Sequence, residues 1–198
     1  MRILIVLLSL TVAACGSPEA ERPEILMQTS MGDIRVEIAA DVAPLTGANF
    51  LRLAEGGHLD GAGFYRVVRP DNDNGTPPIS VIQGGVQDRG SPFAPVPHET
   101  TERTGLTHVD GAISMARGGV GTASTEFFIC LGEQPALDFG GERNADGQGF
   151  AVFGRVVSGM DVVRRIHALD ADALTSNPYL AGQVLSNPVV IESVSIVD

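Results

Sequence analysis

Residues 64–68 read "FYRVV" and residues 81–85 read "VIQGG". The first is a run of aromatic and β-branched residues, the composition of a strand, with one charge, Arg66, set inside it. Strict alternation places Phe64, Arg66 and Val68 on one side of that strand and Tyr65 and Val67 on the other. The second run is apolar up to Gln83 and then meets two glycines, a strand running into a turn. Alone, Arg66 reads as a solvated surface charge, because charged residues are mostly exposed. What surrounds it along the chain decides whether it is more.

The strand signature recurs on both sides. "ILMQT" (25–29) and "DIRVEIA" (33–39) meet at "SMGD" (30–33), which has the turn chemistry of a hairpin. "GAISMA" (111–116), "EFFICL" (126–131), "GFAVFGRVV" (149–157) and "PVVIESVSIV" (188–197) are further strand candidates. Two stretches read as helices. In "APLTGANFLRLAEGG" (43–57), Pro44 suits the first turn and Gly56-Gly57 the stop. Ala48, Phe50, Leu51 and Ala54 share its apolar arc, opposite Thr46, Asn49 and Arg52. In "SGMDVVRRIHAL" (158–169), Ser158 and Asp161 stand at capping-box spacing, and Met160, Val163 and Ile166 or His167 share a face. Many strands and two helices predict an all-β barrel or sandwich with helical covers.

Composition agrees and excludes much. The chain has 198 residues, enough for one domain and a tail, and is 43% hydrophobic, enough to bury a core. Its 24 Gly and 12 Pro indicate many turns. A formal charge of −11 argues against nucleic acid as a partner. All 13 basic residues are Arg, so a phosphate-binding loop with its Lys and a pyridoxal Schiff base are both ruled out. "GGVGTAS" (118–124) is therefore read as a tight turn. The four His, at 58, 98, 108 and 167, lack zinc-ligand spacing. "ERNADG" (142–147) approaches a calcium loop, but Phe153 stands where the twelfth-position Glu is needed, and it reads as a polar loop.

The N-terminus "MRILIVLLSLTVAAC" has a basic start, an apolar run too short to span a bilayer, and small residues before Cys15. Residues 1–14 are expected to be a signal peptide. "VAAC" resembles the lipobox of bacterial lipoproteins, in which the Cys is acylated after cleavage; Cys15 is the expected lipidation site. Residues 15–24, polar and Pro-containing, read as a linker, and residues 25–198 as the folded domain. Cys130, in the apolar run "FFIC", reads as a buried inert thiol.

Taken together and in order, "APLTGANFLRLA", "FYRVV", "VIQGG", "GAISMA…TEFFIC" and "FAVFGRVVSGMDVV" resemble the cyclophilin-type peptidyl-prolyl isomerases from about Ile25 to the C-terminus. The resemblance implies a closed eight-stranded antiparallel β-barrel capped by two helices, with its active site on the barrel's outside. It implies that Arg66 is the catalytic donor, that Gln83 binds substrate backbone, and that Phe128 floors the proline pocket. Val81, Ala116, Leu137 and Phe150 fall at the other substrate-binding positions. Phe127 and Phe128 must point to opposite sides of their strand; the resemblance assigns Phe128 to the pocket. No cofactor or metal is implied. The expected partners are proline-containing polypeptides, engaged by a monomer held by its lipid anchor on the periplasmic face of a bacterial envelope. Gly16 lacks the Asp that retains many lipoproteins at an inner membrane, which points to the outer one.

The chain also departs from the family. Ser80 falls where the family has a Phe, and Ala136 where it has the Trp associated with binding cyclosporin, so weak cyclosporin sensitivity is expected. Arg117 replaces an Asn and Glu126 a Gln. Two loops, 69–79 and 138–149, are longer than in compact members; they leave two readings open, supplying the missing apolar wall through Ile79 or Pro78, or narrowing the substrate range. These departures leave two alternatives to an active isomerase: a proline-peptide binding module of weak activity, and a lipid-anchored scaffold.

Overall fold

The computed structural model describes residues 22–197. The expected signal peptide, Cys15 and most of the expected 15–24 linker lie outside the described residues. The strand expected to begin at Ile25 begins at Glu24, and Arg22 before it pairs with Asp41 at 2.8 Å.

Eight strands form the wall: β1 (Glu24–Thr29), β2 (Gly32–Ile38), β3 (Ala62–Val68), β4 (Val81–Gly85), β5 (Ala112–Met115), β6 (Phe127–Cys130), β7 (Ala151–Ser158) and β8 (Val184–Val197). They close in the order β1-β2-β7-β5-β6-β4-β3-β8, with β8 returning to β1, and every pairing is antiparallel. Closure removes the edges that would otherwise template aggregation. Three α-helices accompany the strands: α1 (Pro44–Glu55), a single-turn α2 (Thr101–Thr104) and α3 (Met160–His167).

Alternation along each strand sorts the apolar residues into two layers. Ile34, Val36, Phe64, Ile82, Ile113, Phe127, Ile129 and Phe153 fill the barrel interior. Phe50 of α1 plugs it, with ring centroids 5.3 Å from Phe127 and 4.8 Å from Phe153. Val68, Val81, Ala112, Phe128, Cys130 and Val152 face outward and form a second buried cluster beneath Leu137 and Ile79. Burial there pushes the Cys130 thiol up, keeping it neutral.

Strict alternation fails at the stretch that opened the reading. In the ladder with β4, β3 bulges between Phe64 and Arg66, so that Tyr65 is one extra residue on β3; against β8 the register shifts at the same place, but the extra residues lie on β8, between Val184 and Val189. Phe64 and Val67 point into the barrel, while Tyr65 and Arg66 both lie outside, so Phe64 and Arg66 do not share a side. Gly84 completes this corner: a Cβ there would come within 2.9 Å of the Phe64 ring.

Both helices differ from their sequence reading in detail. On α1, Thr46 and Asn49 are buried and Ala48 is exposed. The reason is polar and long-range. Glu99, itself 1% exposed, accepts from the backbone N–H of Leu45 (3.2 Å) and Thr46 (2.8 Å) and from the Thr46 hydroxyl (2.6 Å). Its charge answers the unpaired amides at the helix start. Asn49 donates to the Ser124 carbonyl at 2.9 Å. On α3, no capping box forms, because Ser158 is still in β7, paired with Arg35. The N-cap is Gly159 at φ 92°, and a Cβ there would lie 2.3 Å from the Asp33 carbonyl oxygen. Val162, Val163 and Ile166 make the buried face.

Candidate functional site

The outer cluster is the floor of a cavity of about 270 Å³. All seven residues singled out from the barrel sequence line it: Arg66, Val81, Gln83, Ala116, Phe128, Leu137 and Phe150. They arrive from separate elements. Arg66 is on β3, Val81 and Gln83 on β4, Phe128 on β6 and Ala116 just after β5. Leu137 ends a 3-10 turn, Pro135–Leu137, and Phe150 directly precedes β7. Ile79 also lines the cavity and supplies apolar wall; Pro78 does not line it.

Arg66 is held by neutral partners. Its Nε and Nη2 donate to Gln183 Oε1 at 2.9 and 2.6 Å, and its Nη1 donates to Gln83 Oε1 at 2.8 Å. A guanidinium has five N–H groups, so two remain uncommitted beside the cavity. No carboxylate of the described residues pairs with it, in contrast to the other two guanidiniums in the cavity wall. Burial pulls Arg66 below the usual guanidinium value, yet such a group keeps its proton near neutrality.

Gln83 is equally constrained. Its amide Nε2 donates to the Tyr65 hydroxyl at 2.8 Å, and that hydroxyl donates to Glu126. Burial and the Glu126 carboxylate push the Tyr65 phenol well up, so it remains a donor. The chain Glu126–Tyr65–Gln83 therefore turns the amide oxygen of Gln83 toward Arg66. Gly85 makes room for it, since a Cβ there would fall 2.4 Å from the Glu126 carboxylate.

The apolar floor is braced from behind. The Phe128 ring stacks on buried His108 at 5.8 Å and meets Phe150 edge-on at 5.3 Å. His108 is fixed between Asp138 Oδ1 (2.7 Å from Nδ1) and the Ser114 hydroxyl (3.0 Å from Nε2). Burial holds His108 below its ordinary pKa, while Asp138 opposes that fall. The Asp–His–Ser arrangement looks like a nucleophile triad, but Ser114 is 0% exposed and offers no reacting atom to solvent.

The two long loops close the remaining sides. Arg117, 1% exposed, grips Asp146 at 2.7 and 2.9 Å and donates to the Gly149 carbonyl, with its guanidinium 5.3 Å from the Phe150 ring. That contact pulls the Asp146 carboxyl down to about 2. Within "ERNADG", Asp146 thus serves Arg117, and Arg143 turns to Asp73. Ser80 and Ala136 do not line the cavity; the Ser80 hydroxyl lies 3.1 Å from His167 Nε2.

The sequence reading missed Gln183, Arg143, Asn144 and Tyr179. Three of these line the cavity and Gln183 holds Arg66. A faint signal existed: polar residues in long loops that adjoin a strand carrying an unpaired charge. Nothing local indicates which strand they reach.

Chemically, the arrangement offers a fixed cation with spare donors beside an apolar floor, and no Ser, Cys or Thr among the described residues that line it. The chain matches the family model for cyclophilin type peptidyl-prolyl cis-trans isomerases over residues 24–196. It is 36% identical over 154 residues to peptidyl-prolyl cis-trans isomerase-like 1 of Rhizopus delemar, covering 78% of this chain and 86% of that one. It is 30% identical over 197 residues to peptidyl-prolyl cis-trans isomerase A of the bacterium Dickeya dadantii, covering 98% of this chain and 95% of that one. The fold resembles a Cryptosporidium parvum isomerase structure with a TM-score of 0.68 at 18% identity, over 89% of this chain and 98% of the other.

Proposed function

Because the chain belongs to the cyclophilin-type peptidyl-prolyl cis-trans isomerase family, we propose that its cavity accelerates rotation about X-Pro bonds, with Arg66 as the donor to the twisted imide. Rotation must break amide resonance, a barrier of about 18–20 kcal/mol. The two X-Pro isomers are nearly balanced, yet exchange takes tens to hundreds of seconds. No covalent bond forms or breaks, so the task is to bind the twisted state better than either planar one.

At the twist the prolyl nitrogen regains a lone pair. An N–H donor aimed there stabilises that state and gains little from the planar amide. Arg66 has two spare N–H groups beside the cavity, and its remaining donors are tied to Gln83 and Gln183, so little reorganisation is needed. Val81, Phe128, Leu137 and Phe150 supply an apolar surface for a proline ring. Ala116 offers backbone to the peptide at the edge of that surface. The observation that carries this reading is the Arg66–Gln83 pair facing the Phe128 floor within one cavity.

The test is cis/trans exchange of X-Pro peptides measured by NMR. Arg66→Ala should lower the catalysed rate by roughly 10²–10³-fold, the usual loss of one transition-state donor. Full activity in that variant would sink the proposal. Ser80 and Ala136, which stand where the resemblance expects a Phe and a Trp, add nothing to the cavity wall, which favours a second reading, a module that binds proline peptides and turns them over poorly. Peptide binding without rate enhancement in the wild type would select it.

The setting we propose is the folding of exported proteins at a bacterial envelope. The leader before Cys15 supports export, the lipobox-like "VAAC" supports acylation, and Gly16 favours the outer membrane. The Dickeya dadantii relative, matched over 98% of this chain, supports a bacterial source. Incorporation of labelled fatty acid that Cys15→Ser does not reduce would remove the anchor from this account.

A further inference from the structure

We infer that Tyr179 contacts the substrate and selects the side chain preceding the proline, an inference that rests on the isomerase reading of the cavity. Tyr179 belongs to the 3-10 turn Pro178–Leu180, in the connection between α3 and β8, far in sequence from every other wall residue. It is 44% exposed, the condition in which a Tyr ring is ordinarily free to swing. Here it is built in. Arg143 Nη2 donates to its hydroxyl at 2.8 Å, and the Arg66 guanidinium lies 5.4 Å from its ring. Its backbone is tied as well, by its N–H to Asn177 and by Asn74 to its carbonyl.

The residue that aims it is itself anchored. Arg143, whose side chain is 3% exposed, makes two bonds of 2.7 and 2.8 Å to Asp73, whose side chain is 0% exposed, and a third at 2.7 Å to the Pro77 carbonyl. Asp73 in turn accepts from the N–H groups of Gly75 and Ile79. An ion pair taken out of water in this way holds both loops and fixes the exposed phenol over the cavity mouth.

Arg66 is already held by three hydrogen bonds to Gln83 and Gln183, and the Tyr179 side chain is a further polar neighbour of its guanidinium, which sets the phenol beside the donor that meets the imide. The Tyr179 hydroxyl accepts from Arg143, and the hydroxyl hydrogen has no acceptor among the described residues. A peptide whose imide lies at the free N–H groups of Arg66 brings the residue before the proline within reach of this ring. An aromatic face with a free donor at its edge suits a large apolar side chain with a backbone carbonyl beside it.

The experiment compares Leu-Pro and Gly-Pro peptides of otherwise identical sequence, by NMR exchange and by NMR binding titration, in the full folded domain. Tyr179→Ala and, as a second truncation, Tyr179→Ser should reduce the Leu-to-Gly preference by about five- to tenfold, through KM and Kd rather than kcat. Tyr179→Phe, which keeps the ring but loses the bond from Arg143, should retain more of the preference than either truncation. An unchanged preference in both truncations, or an equal fall in kcat for both peptides, overturns the inference. An active wild type with unaltered variant preference sinks the inference alone. An inactive wild type whose binding preference still collapses in the truncations sinks the isomerase reading alone.

Discussion

Arg66 and Gln83 stand opposite each other in the β3–β4 ladder, and Arg66 Nη1 donates to Gln83 Oε1 at 2.8 Å. This pairing depends on the bulge at Tyr65. Phe64 pairs with Gly84, so an unbroken ladder would set Tyr65 against Gln83 and Arg66 against Ile82. Ile82 faces the barrel interior. Were Tyr65 regularly paired, the cation would point into the core; with the bulge, Tyr65 and Arg66 both reach the outer face and share Gln83.

Gln183 should matter for catalysis nearly as much as Gln83. Its Oε1 accepts two of the Arg66 donors, and its Nε2 donates to the Asn72 carbonyl at 2.8 Å. Gln183→Leu keeps the volume and removes the acceptor. The expected result is a fall of roughly tenfold in kcat/KM, corresponding to about 1.4 kcal/mol of lost transition-state stabilisation. Exchange NMR measures it; an unaffected rate would show that Gln83 alone holds the guanidinium.

Breaking the Asp73–Arg143 pair should loosen the loops. Replacing one member of a buried ion pair costs about 3–5 kcal/mol, because its partner is left buried and uncompensated. Asp73→Asn should therefore lower the melting temperature and increase hydrogen exchange in residues 69–79 and 142–149, with the barrel strands less affected. Burial by itself would raise the Asp73 pKa, but Arg143 and the amides of Gly75 and Ile79 outweigh it and hold the carboxyl below its ordinary 3.8. A depressed folded pKa gives stability that is present above the unfolded value and lost as pH falls through the folded one. The difference in stability between wild type and Asp73→Asn should thus shrink below about pH 4.

His108 sets a second pH dependence with its own window. Its folded pKa is lowered by burial, against an unfolded value of 6.5. The unfolded chain then binds the proton more readily, so stability falls as pH drops below about 6.5 and levels off only once the folded His108 is also protonated. His167, also lowered by burial, adds to this slope. Denaturant titrations at pH 7.5, 6.5 and 5.5 should show the decline, and His108→Gln should reduce it without removing the share of His167. The catalysed rate itself should be flat from about pH 6.5 to 9, because Arg66 does not titrate there.

Cyclosporin should inhibit the purified domain weakly. The positions expected to carry a Phe and a Trp hold Ser80, turned to His167, and Ala136, and neither lines the cavity. Tight inhibition in an exchange assay would contradict this and would require another surface to replace those rings.

Much of the barrel was legible from the chain alone. Short apolar and β-branched runs located all eight strands, alternating where one face is exposed and continuous where, as in β5 and β6, both faces are buried. Pro44 and Gly56 marked the ends of α1. The absence of Lys closed off whole mechanisms, and the order of the Arg, Gln-Gly-Gly and "FFIC" segments pointed to the residues that gather in one cavity.

Other features were decided only in three dimensions. The side on which Arg66 falls depends on a bulge, which inserts one residue into a ladder and leaves composition unchanged. The buried face of α1 depends on two distant acceptors, the Glu99 carboxylate that takes the Thr46 donors and the Ser124 carbonyl that takes the Asn49 amide. Asp73, Arg143 and Tyr179 meet across three loops that carry no periodicity. Local patterning records which face of a strand or helix is apolar, since that follows from backbone geometry. It does not record which distant polar groups satisfy one another, because that pairing exists only once the barrel has brought the loops together. In this protein the first determined the scaffold, and the second decided the wall of the site.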